Sequence, residues 1–287
     1  MKHRKSKFLF RTKDFAQSRE YFDIYWDDLK KVGWTDLKNT DNLEKYYSQN
    51  YCPHSLNSVS LQDRFYKMVR RWMCWVKWKM FRSFLNVKHP KILDFGAGTG
   101  YFADYLKKRG LKVDLVESNQ NAYKQCQEKG HSVYLNLCDV PSNASYQVIT
   151  LWHVLEHLPN PWNEIKELDK LLEDNGVLVI AVPNFKSFDA KKYKDHWAAL
   201  DVPRHLWHFT PSGLLNLLEQ AGFKLVKKRT LFFDSFYISQ LSEKYKGSKL
   251  WIVKGLFFGA ISNVVGQFTG NFSSMVFIAQ KNLRNYR

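Results

Sequence analysis

From residue 90 onward, short apolar runs alternate with stretches whose apolar residues recur every three or four positions. That is the pattern of successive βα units and a mostly parallel sheet. "KILDF" and "KVDLVES" read as the first two strands, and "GYFADYLKKRG" between them as a helix stopped at Gly110. "HSVYLN", after the helix "NAYKQCQEKG", and "YQVITLW" follow as strands three and four. "PNPWNEIKELDKLLEDNG" has prolines at its entry and Gly176 at its exit, so it reads as a helix leading into a fifth strand, "VLVIAVP". "TPSGLLNLLEQAGF" carries a Thr cap and Leu214, Leu215, Leu217 and Leu218 for the core, which makes it a helix; "KLVKKRTLFF" and "SSMVFIAQK" then bring the count to seven strands.

Before residue 90 the pattern changes. The chain is rich in Tyr, Trp and Lys, and from Phe65 to Leu85 it has helical periodicity, with Phe65, Met68, Val69, Trp72 and Val76 on one face. A boundary near "NVKHP" predicts a mostly helical N-terminal extension, 1–89, followed by an α/β domain, 90–287. The apolar stretch Leu250 to Gln267 is interrupted by Lys254, Ser262 and Asn263, which predicts a helix that docks on protein or on a bilayer surface rather than a membrane span.

Composition changes this picture in two respects. A hydrophobic fraction of 45% with 16% aromatics is that of a folding chain. The net charge of +17 is unevenly spread: residues 64–93 hold Arg64, Lys67, Arg70, Arg71, Lys77, Lys79, Arg82, Lys88 and Lys91 with no acid. Such a field favours a polyanionic partner, which leaves nucleic acid, anionic lipid and a phosphorylated substrate open. On a helical wheel Trp78 falls among Lys67, Arg70 and Arg71, so weak contact with an anionic membrane surface is expected there. The four cysteines form no CxxC pair, and the basic start lacks the long apolar core of a signal peptide, so a reduced, cytoplasmic chain, peripheral to the membrane at most, is expected.

The candidate chemistry begins at "KILDFGAGTGYF". Glycines 96, 98 and 100 after a strand let the backbone turn sharply and approach a ligand closely. A dinucleotide loop would read GxGxxG, but position 101 is Tyr, and Asp94 at the strand end would oppose a pyrophosphate. No GK[ST] follows, which excludes a P-loop; a ligand with a positive centre suits Asp94 better. After strand four, His153, Glu156 and His157 fall at i, i+3 and i+4, a spacing that shares a helical face and could move a proton or bind a metal.

These motifs carry a resemblance. "ILDFGAGTG" is similar to motif I of class I S-adenosylmethionine-dependent methyltransferases, and "VDLVESN", "LCDVP", "YQVITLWHVLEHL" and "GVLVIAVPN" follow in that family's order. "LDVPRHLWHFTPSGLLNLLEQAGF" resembles the subgroup that includes the ubiquinone-biosynthesis-type O-methyltransferases (methyltransferase domain 23-like). The resemblance covers residues 90–282 and implies a Rossmann-like seven-stranded sheet in the order 3-2-1-4-5-7-6 with strand seven antiparallel.

It further implies S-adenosyl-L-methionine as cofactor and S-adenosyl-L-homocysteine as product. Asp94, Gly96, Ala97 and Gly98 would line the methionine end, Glu117 and Ser118 the ribose, Asp139 and Val140 the adenine, with Trp152 as pocket wall. His153 and His205 are the candidate bases. In the quinone O-methyltransferases a Glu stands where this chain has His153, and a divalent cation has been associated with that segment. The His-for-Glu change argues against magnesium and leaves Glu156 and His157 as the only metal candidates. Arg204 and His208 are candidate substrate-binding residues, as are Tyr47 and His54 of "LEKYYSQNYCPHS", which resembles an aromatic segment, here including Tyr46, that folds over the cofactor in some relatives. A ribbon-like piece around "REYFDIYWDDLKKVGWTDLKN" would have to be metal-free.

The expected activity is O-methylation of a small or lipid-linked metabolite. An RNA methyltransferase using the basic face, or a non-catalytic S-adenosylmethionine-binding protein, are the alternatives.

Overall fold

The structure, a computed structural model, describes residues 6–37, 45–46, 61–85 and 87–281, with side chains from residue 68 onward in the helix that begins at residue 61. Tyr47, His54 and most of the aromatic segment around them lie outside the described residues.

Among the described residues the N-terminal region holds a small sheet, which was not expected, beside its helix. It opens with three antiparallel strands, β1 (Ser6–Lys13), β2 (Tyr21–Asp27) and β3 (Val32–Asp36). The cause is alternation: Phe22 and Ile24 of β2 are buried while their sequence neighbours are not. Polar turns close both hairpins. The carboxylate of Asp14 accepts from the backbone N–H of Ala16, Gln17 and Ser18, and that of Asp27 from Leu29 and Lys30. A fourth, two-residue strand, β9 (Trp207–His208), pairs with β3.

Helix α1 (Leu61–Phe81) follows. Its buried side is marked by Cys74 and Phe81, whereas Met68 and Trp72 of the expected apolar face are exposed. Trp78 is half-buried and packs edge-on against Phe81 one turn further along, ring centroids 5.3 Å apart.

The seven expected strands all form: β4 (Lys91–Phe95), β5 (Lys112–Val116), β6 (Ser132–Tyr134), β7 (Tyr146–Trp152), β8 (Leu172–Pro183), β10 (Phe223–Thr230) and β11 (Ser274–Lys281). They lie in the order β10-β11-β8-β7-β4-β5-β6, with one antiparallel strand, which in strand sequence is 3-2-1-4-5-7-6. The parallel register puts Asp94 opposite Thr150 of β7 and Leu115 of β5. Val177 to Val182 of β8 are all buried, the continuous apolar run of a strand covered on both faces.

Between the strands stand α2 (Tyr101–Lys107), α3 (Gln120–Glu128), α4 (Pro161–Leu171), α5 (Phe188–Tyr193), α6 (Pro211–Gln220), α7 (Asp234–Tyr245) and α8 (Trp251–Thr269). Gly110 takes φ +74°, the left-handed stop expected of it. Gly176 does not stop α4. The helix ends five residues earlier, and Leu172 lies against the bare Gly176 Cα, where a Cβ would come 2.6 Å from Leu172 Cγ. By contact density the chain divides into two compact units, one of residues 1–47, 153–165 and 180–277, the other of 48–152, 166–179 and 278–287.

Candidate active site

In the unit holding β4, β5 and β7, the chain turns immediately after Phe95 through three left-handed residues, Gly96 (φ +74°), Gly98 (+55°) and Gly100 (+73°). An L side chain at each would cost about 1 kcal/mol or more. Among the described residues a Cβ on Gly98 would meet nothing within 4 Å, whereas one on Gly100 would come 3.1 Å from Cys126 Sγ. The N–H of Gly98 donates to Glu117 Oε2 at 2.7 Å and that of Asn119 to Oε1 at 2.8 Å. The loop thus holds a buried carboxylate by its backbone, with a second lone pair on each oxygen left for a diol. Burial raises the Glu117 pKa against these two bonds.

Asp94 is buried at the end of β4 and accepts a 2.6 Å hydrogen bond from Thr150 Oγ1. Burial pushes its pKa up to about 6, opposed by Thr150 and by the charge of Lys77 on α1. Trp152 ends β7 with its indole N–H buried and unpartnered, its ring 4.7 Å below Lys77 Nζ and edge-on to Phe102. Ala97 is half-buried, Val140 buried and Ser118 exposed. Asp139 is exposed, and its Oδ2 accepts from the backbone N–H of Asn136 at 2.9 Å, so it closes its own turn. Two carboxylates, a glycine loop left open among the described residues and an unsatisfied indole N–H fit a cationic nucleoside such as S-adenosylmethionine.

The other unit holds the titratable cluster. His153, the residue after Trp152, is a non-glycine residue at φ +57°, a strained position that structures keep where function demands it. Its Nε2 lies 3.1 Å from Asp234 Oδ2 and its Nδ1 3.4 Å from Glu156 Oε1. Burial alone would lower its pKa, but the bonds and charges of Asp234 and Glu156 outweigh that and hold it at about 10. The expectation of a near-neutral base at His153 is therefore corrected: it is an imidazolium at pH 7.

Glu156 is 1% exposed, and among the described residues neither of its oxygens accepts a well-aligned hydrogen bond. Its Oε1 is ion-paired with His153. Burial alone would raise its pKa, but that contact and the charges of the histidines around it hold it below the usual carboxylate range. His205 Nδ1–H donates to Ala199 O at 2.8 Å and His157 Nδ1–H to Arg204 O at 3.0 Å, which leaves Nε2 of each ring as the lone-pair nitrogen. His205 Nε2 is 4.0 Å from Glu156 Oε1, and the two rings meet edge-on at 4.6 Å. Burial, then the charge of His205, lowers the His157 pKa to about 4. One ligand atom from each of Glu156, His157 and His205 lies within 4.8 Å of the others. Two imidazoles and one carboxylate suit Zn²⁺, Mn²⁺ or Fe²⁺ better than Mg²⁺. Glu156 and His157 are thus joined by His205, not by His153.

Two expected substrate residues are engaged elsewhere. Arg204 is fully buried, with Nη2 3.0 Å from Asp14 Oδ1 and 2.6 Å from Asp201 Oδ1, and it ties the first hairpin turn to the loop before β9. His208 is buried with its Nε2 3.0 Å from Thr35 Oγ1, and burial lowers its pKa to about 3, so it joins β9 to β3 as a neutral core residue. The sequence reading missed Asp234, Thr150 and Lys77. Asp234 lies 81 residues from His153 in no recognisable motif, whereas Thr150 could have been found by aligning the parallel strands.

A family model described as a methyltransferase domain matches residues 65–228, beginning inside α1. The ubiquinone biosynthesis O-methyltransferase of Idiomarina loihiensis is 25% identical over 169 residues, covering 54% of this chain and 70% of that protein. A probable S-adenosylmethionine-dependent methyltransferase of Mycolicibacterium smegmatis is 26% identical over 164 residues, 55% of this chain and 60% of that one. Among solved structures, the magnesium protoporphyrin IX methyltransferase of Synechocystis PCC 6803 with bound SAH superposes with a TM-score of 0.52 at 12% identity, over 83% of this chain and 92% of that one, a likeness of fold. The family match spans more than half of the 287 residues, and the chain belongs to the methyltransferase domain family, as an S-adenosylmethionine-dependent methyltransferase.

Proposed function

We propose that the protein methylates a hydroxyl oxygen of a small or lipid-linked acceptor. The observation that carries this reading is the buried Glu156 carboxylate, ion-paired with His153 at 3.4 Å and lying beside the lone-pair nitrogen of His205, where a proton taken up on His205 would be stabilised. A hydroxyl must lose its proton to become an ether, whereas a neutral amine can attack without a base. The likeness to ubiquinone biosynthesis O-methyltransferases supports both the oxygen and a lipid-linked acceptor.

When bound, S-adenosylmethionine supplies an electrophilic methyl group on a sulfonium and leaves as the neutral thioether. Glu117 would hold the ribose and Asp94 would face the positive end. His205 Nε2 accepts the acceptor's proton, and Glu156 stabilises the imidazolium that results. His153, charged between Asp234 and Glu156, would hold Glu156 in place as a cation beside the acceptor, which moves the base from His153 to His205. A divalent cation held by Glu156, His157 and His205 would polarise the same hydroxyl.

The test uses methyl-labelled S-adenosylmethionine with aqueous and organic fractions of a cell extract. Label is expected in a methyl ether of the organic fraction, and label in an N-methyl product overturns the oxygen assignment. With that acceptor, His205→Ala should bind S-adenosylhomocysteine normally and lose about 100-fold or more in kcat. A chelator that abolishes wild-type turnover assigns the trio to a metal instead.

A further inference from the structure

We propose that the exposed apolar face of α8 docks on the surface of an anionic lipid bilayer. This helix packs through small residues: Gly255, Gly259, Ser262 and Gly266 are buried, and a Cβ at Gly255 or Gly259 would come 2.3 Å from Gln240 Cα or 2.8 Å from Phe236 Cα of α7. The seam takes up one narrow side. Ile252, Val253, Leu256, Phe257, Val264 and Phe268 are exposed and spread over roughly half the circumference at 100° per residue. Phe257 is 60% and Phe268 86% exposed, far beyond the scattered apolar residues of an ordinary surface.

What covers this face is indicated by the charges around it. Residues 244–273 contain Lys244, Lys246, Lys249 and Lys254 and no acid. Lys192 Nζ lies 3.4 Å from the Phe258 ring centroid and Lys244 Nζ 5.9 Å from that of Trp251, so cations and aromatic rings share the rim, as at an interfacial helix. The acids of α5 and α7 do not offset them: Asp189 and Glu243 are buried, and Asp234 is paired with His153. A second copy docked face to face would bring two lysine rims together, whereas anionic headgroups neutralise them.

The geometry also favours lying on the bilayer over crossing it. By length and composition α8 could span, but its seam is filled by α7, a 12-residue helix carrying Asp234, Glu243 and Lys244, which cannot enter hydrocarbon with it.

The experiment is sedimentation of the full chain with phosphatidylcholine vesicles, with and without phosphatidylglycerol, at about 0.1 M and about 0.5 M salt. The wild type should partition onto the anionic vesicles, less strongly at high salt. Phe257→Asp and Phe268→Asp, at exposed positions that the fold does not need, should each lower partitioning about tenfold or more. Lys254→Glu should lower it severalfold and flatten the salt dependence. Circular dichroism and S-adenosylhomocysteine binding verify that the variants fold. Three results overturn the proposal: equal behaviour on both vesicle types, loss of binding in Trp72→Asp with α8 variants unaffected, or a dimer in sedimentation velocity that Phe257→Asp dissociates without any vesicle binding.

Discussion

The glycine loop and the histidine cluster solve opposite problems with buried carboxylates. Glu117 accepts from the backbone N–H groups of Gly98 and Asn119, so its orientation is set before any ligand arrives. Glu156, at least as deeply buried, accepts no well-aligned hydrogen bond among the described residues and is balanced by charge instead, with the His153 imidazolium 3.4 Å and His205 4.0 Å away. A buried polar group left unpaired costs about 1–3 kcal/mol, more when charged. The first carboxylate is a fixed binding element; the second is placed to stabilise a proton on His205 or a cation. Binding profits from rigidity, and proton transfer from a carboxylate that stabilises the charge forming on the base.

The comparison breaks most visibly at Glu117. If Glu117 binds the ribose as proposed, replacing it by Ala would remove two charge-assisted hydrogen bonds, each worth about 1.5–3 kcal/mol, and would release the Gly98 and Asn119 N–H groups together. Titration calorimetry should show S-adenosylhomocysteine binding weakened by about 100-fold or more. Unchanged affinity would remove the ribose assignment. The corresponding change at the cluster, Glu156→Gln, should leave that affinity alone.

Asp94 gives the next largest effect, and it tests whether the binding region stores instability. Its pKa is raised by burial from 3.8 to about 6, so the protonated form favours folding. The contribution is fully present below pH 3.8 and lost as pH rises through 6. Above that the ionised group costs about 3 kcal/mol in the free protein. Asp94→Asn keeps an acceptor for Thr150 Oγ1, so it should raise the Tm by several degrees at pH 8 and hardly at all at pH 4, while weakening cofactor binding. A Tm unchanged at pH 8 would show that Lys77 already compensates the charge.

The difference between the two regions also decided what could be read from sequence. The loop is contiguous: three alternate glycines after an apolar run demand left-handed backbone, and Glu117 follows at the end of the next strand. The strands themselves and the α6 cap at Thr210 were legible for the same local reasons, whereas the strand order was implied only by the family resemblance. The cluster is assembled from three distant segments around His153, His205 and Asp234, and no local period encodes that meeting. Arg204 was misread because a lone arginine in a loop shows nothing of Asp14, 190 residues earlier. The N-terminal hairpins were missed because aromatic and lysine content obscured the period-two burial of Phe22 and Ile24.

The smallest effect sharpens the role of His153. Its pKa is raised from 6.5 to about 10 by Asp234 and Glu156 against the opposing effect of burial. The stability it contributes is present in full below pH 6.5 and lost as pH rises through about 10. Because its side chain is 34% exposed, solvent screening reduces that contribution to about 1 kcal/mol. The wild type should therefore lose slightly more Tm between pH 7 and 10 than His153→Gln, and Asp234→Asn should remove most of the difference. The rate profile separates the two chemical roles. If His153 acts as a fixed cation, kcat falls as the imidazolium deprotonates near pH 10; if it were the base, kcat would climb toward that pH. A rising limb in the wild type that disappears in His153→Gln would return the base to His153 and leave His205 as the residue that orients Glu156.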